Sequence, residues 1–206
     1  MALLYLIIKL CNSGKRRLRK KYYGFNTFVY LSSGAINDYI SLCRNTFNYV
    51  NARTIRDLKR GEKIRSDIQT EAAILTAEDQ MKKLAMSQND GKKMYSFVDN
   101  MGRLFGYYHE DENVTYPETN QFAFDDQSRI DQDDELNHYL VELINCGAVI
   151  PKENQQHISI GRQKGNIYWL SRIYSPKYQF SYRTRGGYNV VLNGELFRMM
   201  LCSSLN

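Results

Sequence analysis

A chain of 206 residues with 43% hydrophobic and 24% charged residues and only three prolines has the composition of a globular protein with its own core, which excludes a disordered or fibrous class. The net charge of +6 hides a segregated distribution: +11 over residues 1–65, −2 over 66–100, −9 over 101–147 and +6 over 148–206. Basic ends around an acidic middle imply two surfaces with different partners, or a basic block that docks on the acidic one.

Residues 2–8 (ALLYLII) are apolar but far shorter than the roughly 20 residues a membrane span needs. Positive charge follows that run instead of preceding it, the reverse of a signal peptide, so a membrane anchor is rejected in favour of a short element that packs against something. The basic run is Lys15, Arg16, Arg17, Arg19, Lys20 and Lys21, a candidate nucleic-acid contact whose plain alternative is a solvated face. Phe28–Tyr30 reads as β-like. Ser32 or Ser33 then offers a helix cap for a segment in which Ile36, Tyr39, Ile40, Cys43 and Phe47 recur at helical spacing.

Thr54–Arg65 is a basic connector that also fits a short helix, and a helical region is expected from Ile68 to Ala85 with a restart at Thr76. Asn89-Asp90-Gly91 signals a turn. After it Met94, Phe97, Val98, Met101, Leu104, Phe105 and Tyr108 form the cleanest apolar helical stripe in the chain, ending in an acidic loop over 109–118. Gln121–Phe124 alternates as a short strand would, and Asp131–Glu135 opens a helix with Leu136, Leu140, Leu143 and Ile144 facing inward and Gly147 closing it. The remainder is β-rich, with candidate strands at 157–160, 167–170, 178–182 and 188–192 and a last helical turn over 195–201. No repeat is present, which excludes a solenoid.

No phosphate-binding loop of the form G-x-x-x-x-G-K-[ST] exists in the chain. Phe122–Asp126 (FAFDD) mimics a strand ending in Mg²⁺-holding acids, but without phosphates to share the ion it is a decoy. Cys11, Cys43, Cys146 and Cys202 never form a C-x-x-C pair, and three histidines (His109, His138, His157) are too scattered for a zinc site or a catalytic triad. Cys43 and Cys146 fall on apolar helix faces, which predicts buried free thiols and a reducing, cytoplasmic compartment. The remaining candidate is the C-terminal hairpin, where Arg162, Lys164, Arg172, Lys177, Arg183 and Arg185 are interleaved with Tyr168, Trp169, Tyr174, Tyr178 and Tyr182. Cations beside aromatic faces suit phosphate neutralisation and base stacking; ordinary strand alternation, aromatics inward and cations outward, predicts the same pattern.

YLSSGAINDYISLCRNTF (30–47), GRLFGYYH (102–109), the FAF strand and YWLSRIYSPKYQFSYR (168–183) together resemble the C-terminal part of bacterial AAA+ ATPases similar to origin-recognition and replication-initiator ATPases. The resemblance implies a helical lid at about 1–50 and a winged helix at about 90–206. It implies DNA-associated, ATP-controlled assemblies. The family's nucleotide-binding core has no counterpart in these residues, which makes the chain look like a fragment, a split gene or a degenerate relative. Asn37 stands where the lid of such proteins carries an arginine directed at the γ-phosphate.

The expected fold is α+β and mainly helical, with a helical lid-like basic segment over 1–65 and a winged-helix domain over 66–206 (core 91–192) that ends in a C-terminal antiparallel hairpin or small sheet. The expected function is non-catalytic: a winged helix binding DNA or a partner protein. The alternative is an assembly subunit that docks on a separate ATPase core, through residues including Leu3–Leu10, without binding nucleic acid. Expected partners are therefore DNA and an ATPase core or other protein subunit, with no membrane, no metal and no cofactor.

Overall fold

The structure is a computed structural model and describes residues 20–50, 52–87, 90–110, 119–152, 158–160, 163–183 and 189–202. It is mainly helical α+β. In chain order the elements are α1 (Phe25–Leu31), α2 (Ile36–Asn48), α3 (Ala52–Lys59), α4 (Ser66–Ala85), α5 (Gly91–Glu110), β1 (Gln121–Phe124), α6 (Gln127–Gln132) and α7 (Asp134–Asn145). There follow β2 (Val149–Pro151), β3 (Ile158–Ile160), β4 (Gln163–Gly165), β5 (Ile167–Leu170), a 3₁₀ turn (Arg172–Tyr174), α8 (Ser175–Tyr178), β6 (Asn189–Leu192) and α9 (Gly194–Cys202).

α5 organises the core because its stripe survives intact: Met94, Phe97, Val98, Met101 and Phe105 are fully buried. One side of α5 receives α9 and another receives α4, against which α2 packs in turn. The main sheet has the order β2-β5-β1-β6, with β5 antiparallel to both β2 and β1, and β6 parallel to β1. Phe122 and Tyr168 are register partners with stacked rings 5.4 Å apart, and Phe122 meets Phe97 edge-on at 5.6 Å. Phe124 and Phe197 of α9 lie 5.2 Å apart, so one aromatic cluster joins the sheet to the helices. The buried cluster runs from Tyr22 to Leu201 without a break at residue 65.

Several expectations are corrected. Phe28–Tyr30 is helical, because Phe28 and Leu31, three apart, are the buried pair of α1. Ser32 and Ser33 do not cap α2: Ser32 ends α1, Ser33 takes φ 52° and Gly34 φ 87°, and Ala35 occupies the N-cap position without a side-chain bond. No restart occurs at Thr76. Its buried hydroxyl bonds back to the Ala72 carbonyl at 2.7 Å and accepts from Asn45 of α2 at 2.9 Å, so it joins two helices. β1 does not alternate, because all four of its residues are buried, covered on both faces. The short α6 was not expected. The stretch 178–182 is not a strand: Pro176 lies in the first turn of α8, Gln179 turns left-handed at φ 62°, and residues 179–182 pair with no ladder. Cys146 is exposed and Cys43 half-buried, so the expected burial of both thiols fails.

Candidate nucleic-acid interface

The predicted basic residues separate into three locations. Lys164 lies in β4, in register with Ser159 of β3, within the excursion that the chain makes between β2 and β5. Arg162, Arg185 and the run Lys15, Arg16, Arg17 and Arg19 lie outside the described residues.

Arg172 lies beyond the hairpin, in the 3₁₀ turn after β5. Its backbone N–H donates to Ser33 Oγ at 3.2 Å, tying this turn to the Ser32-Ser33-Gly34 reversal. The half-buried guanidinium sits over the Trp169 ring at 5.1 Å, with Lys152 Nζ 5.7 Å from the same ring. Loss of hydration at this site lowers the pKa of Arg172 below the usual arginine value.

The third location joins two stretches that are far apart in sequence. The backbone N–H of Lys20 donates to Gln179 Oε1 at 2.9 Å. Tyr22 Oη donates to the Ser175 carbonyl at 3.2 Å, and the Tyr22 and Tyr182 rings lie 5.8 Å apart. Residues 20–22 therefore run alongside 175–182, bringing the end of the N-terminal basic run beside Lys177 and Arg183. Lys21 and Arg183 are exposed and Lys177 is half-buried. Lys177 lies over Tyr178 at 5.4 Å, and Arg183 over Tyr182 at 5.9 Å.

α5 supplies the seat for this strip. Gly102 and Gly106, one turn apart, leave a groove filled by Tyr178; a Cβ on either glycine would overlap the Tyr178 ring or its carbonyl oxygen. Tyr178 Oη donates to Asp99 Oδ1 at 2.7 Å, and Arg103 Nε pairs with Asp99 Oδ2 at 2.7 Å, so the buried carboxylate is neutralised inside the groove. Burial, then the Asp99 carboxylate, raises the Tyr178 pKa far above the usual phenol value, and the hydroxyl remains a donor. Asn120, just before β1, donates through Nδ2 to the Ser181 and Arg183 carbonyls at 2.9 and 3.1 Å.

α7 presents the opposite charge. Leu136, Tyr139, Leu140 and Leu143 face inward, leaving Asp134, His138, Val141 and Asn145 exposed on the outer face and Glu142 half-buried. Asp133 caps the helix, its Oδ1 accepting from Leu136 N–H at 3.0 Å, and Arg198 of α9 binds Asp133 Oδ2 at 2.6 Å and Glu135 Oε2 at 3.3 Å. The cap bond first, and then Arg198, hold the Asp133 carboxyl below the usual aspartate range; the Ser128 hydroxyl does the same for Asp126. A carboxylate with a depressed folded-state pKa contributes stability above its unfolded pKa and loses that contribution as pH falls through the folded value. Thermal melts should therefore weaken progressively below about pH 4. Asp133→Ala should lower the melting temperature at neutral pH and flatten the acid limb; a variant with an unchanged acid limb would remove Asp133 from the pH response.

Among the described residues no group of three or more His, Cys, Asp or Glu side chains is placed to hold a metal ion, and no helix is long and apolar enough to cross a membrane. A family model described as ORC-CDC6-like matches residues 2–190. The chain belongs to the ORC-CDC6-like family. That membership agrees with the resemblance to replication-initiator ATPases carried by the residues around Ser32-Ser33-Gly34, the Gly102–Gly106 helix and the stretch 168–183. No curated protein and no solved structure matches the chain. The Gly102–Gly106 seat and Asn120, which place the basic strip, were missed from the sequence. The signal was the G-R-L-F-G spacing, two glycines one turn apart inside an amphipathic helix.

Proposed function

We propose that this ORC-CDC6-like chain is a non-catalytic module whose segment from α5 to β5 is a winged helix that binds DNA. One observation carries the reading. The segment runs helix, strand, two short-linked helices, strand, hairpin excursion and strand, and β5 lies between β2 and β1, antiparallel to both. A helix-turn-helix followed by a β-hairpin wing has that order. The DNA is not read by α7, because Asp134 and Glu142 would face phosphates of like charge. Cations outside α7 make the contacts.

The expected measurement is fluorescence anisotropy with a labelled duplex at about 50 and 200 mM salt: affinity should fall steeply, since released counterions drive phosphate contacts. Absence of binding at the lower salt would overturn the DNA reading. A second reading would then stand on a separate observation. Ile36, Ile40 and Phe47 on α2 are 75, 46 and 60% exposed, and Phe25 on α1 is 70% exposed, an apolar face suited to docking on an ATPase core.

A further inference from the structure

We infer that DNA is gripped through its phosphate backbone by the strip that Lys21, Lys177 and Arg183 form beside α5, a surface separate from both the hairpin and α7. This inference rests on the DNA-binding reading above and specifies where the contact is made and of what kind.

Three observations support it. The strip is assembled by tertiary contacts and is therefore held in place: Tyr178 seats in the Gly102–Gly106 groove, Asn120 holds the Ser181 and Arg183 carbonyls, and Gln179 holds the Lys20 backbone. Preorganised cations lose little freedom when a phosphate arrives. The cations flank half-buried or buried tyrosine rings whose hydroxyls are engaged internally in the case of Tyr22 and Tyr178, so the rings act as rigid supports for the charge.

The third observation concerns distance from the acids. The N-terminal end of α5 meets α7, where Lys93 Nζ bonds Tyr139 Oη and lies 3.9 Å from Glu135, whereas Tyr178 meets α5 at Gly102 and Gly106. Gly102 and Gly106 lie nine and thirteen residues beyond Lys93, about 14 and 20 Å of helix. With a Debye length of about 8 Å at physiological salt, salt screens most of the repulsion between the acidic face of α7 and a duplex lying on the strip. Contacts of this type carry no base reading, and the strip binds without sequence preference.

The test uses the full chain and labelled duplexes of two unrelated sequences, with anisotropy recorded across about 50–200 mM salt. The variant Lys21→Gln/Lys177→Gln/Arg183→Gln should reduce the slope of log affinity against log salt by about 2.7, and affinity at about 0.15 M should fall on the order of a hundredfold for both sequences. Lys177→Arg/Arg183→Lys should bind as the unchanged chain does, with matching melts confirming an intact fold. If the triple variant binds normally while Lys164→Gln weakens binding, the strip is overturned and the hairpin makes the contact. If the unchanged chain does not bind either duplex, the DNA-binding reading fails and the inference with it. If it binds only a second copy of itself, through basic strip and acidic α7, the inference is likewise overturned.

Discussion

Gly106→Ala should destabilise the fold by about 3 kcal/mol, although alanine is the better helix former by about 1 kcal/mol. The reason is the identity of the obstacle. A Cβ at 106 meets the Tyr178 carbonyl oxygen, a backbone atom that no change of rotamer can move. At Gly102 the obstacle is the Tyr178 ring. The two positions should therefore respond differently to a second substitution. Tyr178→Ala empties the groove beside residue 102 and should recover much of the loss in Gly102→Ala. It should recover little in Gly106→Ala, because alanine at 178 keeps the same carbonyl. Chemical denaturation of the two double-mutant cycles reads this directly, and equal rescue at both positions would rule out the groove as the seat of Tyr178. Displacement of Tyr178 also moves Lys177 and the 179–183 segment, so both glycine variants should lose DNA affinity more than their melts alone account for.

The elements legible in the sequence were those set by local rules. α5 shows a 3.6-residue apolar period over its 20 residues, and period alone predicts its buried face. The start of α7 was legible because acids and a capping side chain cluster there, and its end because Gly147 takes φ 72°. β5 was legible as an apolar run after Gly165, whereas β2 was not among the expected strands. Where tertiary contact overrode local preference, the sequence misled. The aromatic, β-branched run Phe28-Val29-Tyr30 looks like a strand, yet burial of Phe28 and Leu31 against the core selects the helix. The alternation Tyr178-Gln179-Phe180-Ser181-Tyr182 looks like a strand because Phe180 and Tyr178 are indeed buried, but Tyr178 is buried in the Gly102–Gly106 groove and Phe180 against Phe105 of α5, with no ladder partner.

The candidate site divides in the same way. The interleaving of cations with aromatic residues was visible in the sequence, and three of the expected cations, Arg172, Lys177 and Arg183, lie over rings. That Lys20 would meet Gln179 was not, since the bond spans 159 residues and depends on α4 and α5 holding both segments in place. Arg172 was grouped with the hairpin by proximity in sequence. Its half-burial over Trp169 and its bond to Ser33 give it a part in joining the N-terminal helices to the sheet. Formal charge alone does not separate an exposed cation such as Arg183 from a desolvated one such as Arg172; burial does.

Phe122→Ala should cost about 3–5 kcal/mol, a large share of the roughly 5–15 kcal/mol that holds a typical domain together. Phe122 is fully buried and touches Phe97 of α5, Phe124 of its own strand and Tyr168 of β5, at ring separations of 5.6, 5.9 and 5.4 Å. Truncation leaves a cavity where the sheet meets the helices, and the rings around it are fixed to three separate elements, which limits collapse into the space. Phe122→Leu, which keeps most of the volume, should cost less than half as much. Val191→Ala provides the contrast within the same sheet: Val191 pairs with Ala123 in register but is 42% exposed, and its truncation should shift stability by about 0.5 kcal/mol or less. Denaturant midpoints compared across the three variants decide the point. A loss below about 1 kcal/mol for Phe122→Ala would mean that the aromatic cluster does not hold β1 to α5. The β2–β5 hairpin shares that attachment, because β5 reaches the helical layer partly through Tyr168 and its pairing with β1, while β2 packs on α7. Loosening β1 should therefore loosen the β2–β5 hairpin while leaving the α2–α4 packing in place.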